Sequence, residues 1–138
     1  MTRLSFAAFR KKWLGKAIDW WSSSTKPQCV DLVRQWMYEG LGISKANMYK
    51  AIPRCNAKKF YANASTTFFR KVKNSPKGVP PEGAIVVLNH GTYGHVFIAK
   101  KGSTAVKMFS LDQNWSRPHR ITDEAHSYAE CIGWLIRR

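Results

Sequence analysis

The spacing of apolar residues changes once along this chain, and that change limits what the chain can fold into. Up to about residue 65, apolar side chains recur at steps of three and four, the helical period. Val30, Val33, Met37 and Leu41 mark one face of a helix that opens near Cys29 and stops at Gly40 or Gly42. Phe6, Phe9, Trp13 and Leu14 mark an earlier helix over residues 4–17, with Arg10, Lys11, Lys12 and Lys16 on its wet side and Gly15 weakening its end. Residues 43–54 read as a loop with a helical turn, and residues 55–64 as a third short helix. Beyond residue 65 the apolar residues run together or alternate. Residues 66–72, 84–88, 95–100, 104–111 and 132–136 read as strands, and the 84–88 run is apolar throughout, as in a buried strand. Turn signals separate them: Asn74-Ser75-Pro76-Lys77-Gly78, Pro80-Pro81-Glu82-Gly83, His90-Gly91-Thr92-Tyr93-Gly94 and Lys101-Gly102-Ser103. Helices first and an antiparallel sheet after them give an α+β class. A length of 138 residues fits one domain, residues 1–138.

The junction before the second helix carries the first chemical signal. A small polar loop, Trp21-Ser22-Ser23-Ser24-Thr25-Lys26-Pro27, runs into Gln28 and Cys29. Cys29 therefore falls in the first helical turn, where unpaired N–H groups and the positive end of the macrodipole gather. Both favour a thiolate, the nucleophilic form. The same cysteine beside Val30 and Leu32 also fits a small core residue. The second signal lies downstream. Strands 95–100 and 104–111 are joined by a tight turn and should pair antiparallel, which brings the His95 end of one beside the Asp112 end of the other. A cysteine, a histidine and an orienting acid or amide form a thiol-acyltransfer set. Gln28 and the N–H of Cys29 are candidate donors to the oxyanion.

Other classes of function recede. No apolar run approaches the roughly 18 residues of a membrane-spanning helix. The N-terminal stretch carries most of its charge after its apolar residues, opposite to an export signal. Three cysteines (Cys29, Cys55, Cys131) cannot all pair within one chain, and none has zinc-type spacing. Cys55 and Cys131 are expected to carry no chemistry. The 23 Lys and Arg residues against 8 Asp and Glu leave a net charge of +15, which draws polyanions without choosing among nucleic acid, membrane and cell-envelope polymer.

The order Gln28-Cys29-Val30-Asp31-Leu32-Val33, Gly94-His95-Val96-Phe97-Ile98, Asp112-Gln113-Asn114-Trp115 resembles the CHAP domain (cysteine, histidine-dependent amidohydrolase/peptidase) of phage endolysins and bacterial wall hydrolases. Gly15-Lys16-Ala17-Ile18-Asp19, Asn56-Ala57-Lys58, Pro80-Pro81-Glu82-Gly83-Ala84-Ile85-Val86-Val87 and Ile132-Gly133-Trp134-Leu135 extend the match from about residue 13 to the end. The resemblance implies a papain-like fold, helices packed on an antiparallel sheet, and hydrolysis of a peptidoglycan amide by an N-acetylmuramoyl-L-alanine amidase or an endopeptidase. It assigns Cys29 as nucleophile and His95 as base. Asp112 matches the usual acidic third residue and Asn114 a nearby asparagine, and either is a candidate to orient His95. Trp20, Trp21 and Trp115 are candidates to line the substrate groove, while Trp13, Trp36 and Trp134 read as core.

Two departures from the family pattern stand out. Many relatives carry an acidic calcium loop before the Gln-Cys pair. Here it reads Asp19-Trp20-Trp21-Ser22-Ser23-Ser24-Thr25-Lys26, with only Asp19 and Asp31 to supply carboxylates, so no calcium site and no other cofactor is expected. Ala84 replaces an acid in the first motif of the sheet. Asp31 reads as a helix N-terminal charge. His90, His119 and His126 match no motif and are expected at the surface. The expected partner is peptidoglycan, with anionic envelope polymers or lipopolysaccharide drawn by the positive charge. The expected form is a monomer with no separate wall-binding domain and no membrane insertion, made in the host cytoplasm and released through a holin-like pore. A basic nucleic-acid-binding protein without activity, and an acyltransferase or toxin on the same fold, are the competing readings.

Overall fold

A computed structural model describes residues 2–20 and 26–138. Helix α1 (Phe6–Trp13) starts where the Ser5 hydroxyl accepts the Ala8 N–H at 3.1 Å, satisfying a donor that the helix itself leaves free. It buries Phe6 and Phe9, and its last turn carries Arg10, Lys11 and Lys12, where the dipole favours cations. It is shorter than the pattern predicts because residues 14–16 leave it for the sheet edge. Gly15 N–H donates to the Ile121 carbonyl and Ile121 N–H to the Lys16 carbonyl, each at 2.9 Å.

Helix α2 (Cys29–Glu39) begins at the expected cysteine and ends at Gly40. A Cβ at residue 40 would fall 2.0 Å from Cζ3 of Trp36, so only glycine lets the chain pass that ring. Two 3-10 turns follow, each running into one turn of α-helix: Lys45–Asn47 into α3 (Met48–Ala51), and Ala57–Lys59 into α4 (Phe60–Asn63). Buried Arg34 of α2 ties these pieces together. Its guanidinium donates to the carbonyls of Ile52 at 2.6 Å and Pro53 at 3.1 Å, and lies 4.9 Å from the ring centre of Phe60.

Strands β1 (Phe69–Lys73), β2 (Ile85–Leu88), β3 (His95–Ala99), β4 (Met108–Gln113), β5 (Ile121–His126) and β6 (Cys131–Arg137) form one antiparallel sheet in the order β1-β6-β2-β3-β4-β5. Strand residues point alternately to the two faces. Ile85, Val87, Val96, Ile98, Leu111 and Leu135 pack with Leu32, Val33 and Met37 of α2. Val86, Leu88, Phe97, Ala99, Met108 and Trp134 form a second core on the other face. Strands β3 and β4 pair Ile98 with Leu111 and Ala99 with Ser110, so the connection runs from Lys100 to Phe109 and the register lies five residues from the one a turn confined to residues 101–103 would set, Ala99 opposite Ala105.

Two strands differ from the sequence reading. Strand β4 starts at Met108, not at residue 104, because the Thr104 hydroxyl accepts the N–H groups of Val106 and Lys107 at 3.2 Å each and closes a turn. Strand β5 has no counterpart in the pattern. Its sequence Ile-Thr-Asp-Glu-Ala-His buries only Ile121 and His126, and it lies at the sheet edge, where outward charges are common and the apolar signal is weak.

Candidate active site

The first turn of α2 meets the start of β3 and the end of β4. Hydrogen bonds from one side chain fix that meeting. Gln113 is fully buried, and its Oε1 accepts the Ile18 N–H at 2.7 Å. Its Nε2 donates to the carbonyls of Ile18 at 2.9 Å and Gln28 at 2.7 Å. The segment leading into α2 is thereby bonded to the end of β4. The N-terminus of α2 is closed by Asp31, whose Oδ2 accepts the Gln28 N–H at 2.9 Å, the helix N-terminal role expected of it.

His95 opens β3 directly after Gly94, whose φ of +77° is a backbone state other residues rarely adopt. A Cβ on Gly94 would also fall 2.5 Å from the Lys58 nitrogen and 2.6 Å from its Cα. That close approach carries the hydrogen bond from Lys58 N–H to the Tyr93 carbonyl at 3.0 Å. The imidazole of His95 is 5% exposed, and its Nε2 lies 2.7 Å from Asp112 Oδ2. Asp112 is fully buried and saturated with donors. His126 Nε2 lies 2.8 Å from the same Oδ2, and the Ser110 hydroxyl donates to Oδ1. Burial alone would push the Asp112 carboxyl up; hydrogen bonds from His126 and His95 outweigh it and hold the group below its usual range. Burial alone would likewise push the His95 imidazole down. Hydrogen bonds to Asp112 and to Cys29, with the charges of both, raise it to about 9 instead. His95 thus sits between the sulfur of Cys29 and the carboxylate of Asp112 and is cationic at neutral pH.

A cleft of about 760 Å³ opens over this set, lined by Gln28, Cys29, Val30, Cys55, Asn56, Ala57, His90, Tyr93, Gly94, His95, Asn114 and Trp115. The Trp115 ring covers His95 at 4.6 Å between centres and also touches the rings of His90 and His126. Asn114 points away from His95. Its Nδ2 donates to Gln28 Oε1 at 3.1 Å, and its Oδ1 accepts the His119 N–H at 3.0 Å. Of the two residues proposed to orient His95, Asp112 makes the contact and Asn114 holds Gln28. Gln28, with its Oε1 engaged in this way, lines the cleft beside Cys29.

Several expectations need correction. Trp20 does not line this cleft. It walls a separate pocket with Asp19, Gln35, Tyr38, Lys45 and Tyr49, and its Nε1 donates to the Tyr49 hydroxyl at 2.9 Å. Tyr38 lies nine residues along α2 from Cys29, about 13 Å at 1.5 Å per residue, so the Trp20 ring turns away from the cleft although its backbone hydrogen-bonds to Asp31 in the first turn of α2. Trp21 lies outside the described residues. His126 is buried, not superficial, because the unrecognised strand β5 turns it inward, stacked on Phe97 at 4.4 Å and 6°. His119 is half-buried, and its Nδ1 donates to the Pro27 carbonyl at 2.8 Å. His90 is exposed as expected, though at the cleft rim. Cys29, Cys55 and Cys131 are free thiols.

Two groups invite a metal. His95, Asp112 and His126 offer nitrogen and oxygen donors within 4.8 Å of one another. Zinc needs its own space at about 2.0–2.2 Å from each ligand, whereas these three are closed on one another by hydrogen bonds of 2.7 and 2.8 Å. At the position of the family's calcium loop, Asp19 Oδ1 and Asp31 Oδ1 are each buried without a hydrogen-bond partner. Two single oxygens are fewer than the six to eight that calcium takes, and residues 21–25 of that loop lie outside the described residues.

The CHAP domain family model matches residues 18–114. No curated protein matches the sequence. Similar solved structures include the wild type endolysin LysIME-EF1, at 22% identity and a TM-score of 0.78 over 99% of this chain and 64% of that one. Another is Ly7917 with the hydrolyzing product of MDP, at 16% identity and a TM-score of 0.67 over 94% of this chain and 60% of that one. The chain therefore spans less than two thirds of the length of either. Their architecture is the α+β, papain-like one described above, and the matched segment takes in Cys29, His95, Asp112 and Asn114. On the strength of the family match over most of its length, this chain belongs to the CHAP domain family.

Proposed function

We propose that the chain hydrolyses an amide bond of bacterial peptidoglycan through a Cys29 thiolate. The observation that carries this is the position of His95 between Cys29 and the fully buried, ionised Asp112. The Cys29 thiolate attacks the amide carbonyl carbon, and the electron pair moves to the carbonyl oxygen. The Cys29 N–H and the Gln28 side-chain amide donate to that oxyanion. The His95 imidazolium gives its proton to the leaving nitrogen, the C–N bond breaks, and a thioester remains. Neutral His95 then takes a proton from water, the resulting hydroxide attacks the thioester carbonyl, and sulfur leaves as thiolate. Asp112 holds the imidazole with Nδ1 turned toward Cys29 throughout. No step runs through a metal.

Trp115 and Tyr93 give the cleft aromatic walls suited to a glycopeptide, and the net charge of +15 favours anionic wall polymers or lipopolysaccharide nearby. No described helix is long and apolar enough to cross a membrane. The protein acts on the wall as a monomer after release from the host cytoplasm, in the manner of a phage lysin. The test is turbidity loss of purified walls with wild-type and Cys29→Ala protein, followed by mass spectrometry of the released muropeptides. Clearance by the wild type alone supports the reading, and equal clearance by both variants refutes thiol catalysis. A new amino group on the stem alanine with a free muramoyl carboxyl identifies an amidase, whereas a cut within the peptide identifies an endopeptidase.

A further inference from the structure

His126 is the one buried histidine that the thiol mechanism above leaves unused. It stands on the last position of β5 and is 6% exposed. Its ring lies flat against Phe97 of β3, its edge is capped by Trp115, and its Nε2 points at the Asp112 oxygen that His95 uses. One oxygen therefore faces two imidazole nitrogens, at 2.7 and 2.8 Å. A carboxylate oxygen has no hydrogen to give, so both nitrogens must carry one. That requirement puts a hydrogen on His126 Nε2. It also turns the acid behind the catalytic histidine into a carboxylate gripped from both sides: Ser110 holds Oδ1, while His95 and His126 share Oδ2.

We propose that His126 is a positioning residue for the reaction. By donating to Asp112 Oδ2 it keeps that carboxylate ionised and locked in the rotamer that orients His95. The titratable groups facing it are Asp112 from β4 and His95 from β3, with Cys29 of α2 beyond His95; it also meets the Phe97 and Trp115 rings and pairs across the sheet with Met108. Without His126 the carboxylate keeps one donor on each oxygen, Ser110 on Oδ1 and His95 on Oδ2, and takes up a proton more readily. The third donor opposes that uptake and stiffens the carboxylate, and its energy acts through Asp112, since His126 does not line the cleft. This inference rests on the thiol-hydrolase reading above.

The test pairs His126→Phe, which keeps a ring against Phe97 but has no donor, with His126→Gln, which returns an N–H near the Nε2 position. Wall clearance is followed against pH, with melting temperature as a check on folding. The Phe variant is expected to lose about tenfold in kcat with KM unchanged, and the acid limb of its profile to move up by about one pH unit, because an undersupported carboxylate protonates earlier. The Gln variant is expected to recover most of both. A Phe variant with the wild-type profile, or losses in both variants that merely follow melting temperature, overturns the proposal. A measurement on the unaltered protein stands beside these: ¹⁵N NMR of the histidine rings must find a hydrogen on His126 Nε2 across the activity plateau, and a ring protonated at Nδ1 alone refutes the idea. Failure of the hydrolase reading would show separately, as wall clearance that survives Cys29→Ala.

Discussion

Asp112→Asn removes the charge behind His95 while leaving the volume nearly unchanged, and its effect can be worked out from the site. His95 is raised to about 9 from its ordinary 6.5, against the downward pull of burial, with Asp112 and Cys29 as the two partners that raise it. Removing Asp112's share of that support lets burial count for more and lowers the imidazole toward its ordinary 6.5. An imidazole returned to 6.5 is about a tenth protonated at pH 7.5, where one at about 9 is almost wholly protonated, so the acid that expels the leaving amine falls by up to about tenfold. The amide leaves the geometry in place, because its oxygen can take the Oδ2 position where His95 and His126 already share one acceptor, with its NH₂ group beside the Ser110 oxygen. The lost charge alone predicts up to about a tenfold fall in kcat/KM at neutral pH, about 1.4 kcal/mol of transition-state stabilisation. The assay is the initial rate of turbidity loss of purified walls from pH 5 to 10. The alkaline limb should move down from near 9 toward 6.5. If the variant keeps its plateau and its alkaline limb, Asp112 does not sustain the imidazolium, and the proposed chain from carboxylate to sulfur is wrong.

The same ionisation should appear in stability: His95 is raised on folding, so its contribution is complete below 6.5 and is lost as pH climbs through about 9. Thermal scans should find melting temperature falling over that window by the equivalent of about 3 kcal/mol at most, a fall that His95→Ala abolishes; an identical fall in the variant would refute the assignment. Gln113→Ala strands the Ile18 N–H and two carbonyls, and is expected to cost about 3 kcal/mol and to lower melting temperature by roughly 10 °C, with wall activity reduced in the protein that remains folded. Gly94→Ala forces a methyl into the Lys58 backbone at 2.5 Å and should abolish wall clearance even where circular dichroism remains native; an active variant would mean that the close approach is not needed to seat His95. Calcium or EDTA is expected to leave melting temperature and clearing rate unchanged. A saturable stabilisation by calcium would mean that the unpartnered oxygens of Asp19 and Asp31 are ligands after all.

Strong, local signals account for what the sequence made legible. Cys29 was readable as the first residue of a helix because a proline-closed polar loop gives way abruptly to a three-and-four period. The meeting of His95 with Asp112 was readable because two consecutive apolar strands pair antiparallel, although the connection is longer than the turn at residues 101–103 and the register is five residues from the one that turn would set. Residues whose roles depend on a third element were not. Asn114 and Asp112 looked equivalent as partners for His95, since nothing local says that β4 runs through Gln113 and that Asn114 then turns off at a φ of +61°. His126 was hidden with the strand that carries it, a polar edge strand without an apolar stripe. Trp20 reaches the first turn of α2 with its backbone, but its ring turns along the helix toward Tyr38, a direction that nearness in sequence to Cys29 does not reveal.

These failures point to how the site is built. The apolar core fixes where α2 and the sheet lie, but the last few ångströms between Cys29 and His95 are set by polar contacts: Gln113 to Ile18 and Gln28, Asn114 to Gln28, His119 to Pro27. All of them join the segment entering α2 to the β4–β5 hairpin. Apolar packing is tolerant of small displacements because dispersion contacts are many and individually weak. A hydrogen bond weakens steeply once its angle or length departs from a narrow range. A nucleophile that must approach a carbonyl within a fraction of an ångström benefits from the second kind of restraint. The cost is several buried polar groups, each of which destabilises the fold if left unpaired. Gln113, Asp112 and Ser110 are fully buried and fully paired, so that cost is offset only in the assembled arrangement. The polar contacts thus select one relative placement of helix and hairpin, and this placement is the one that sets sulfur, imidazole and carboxylate in line.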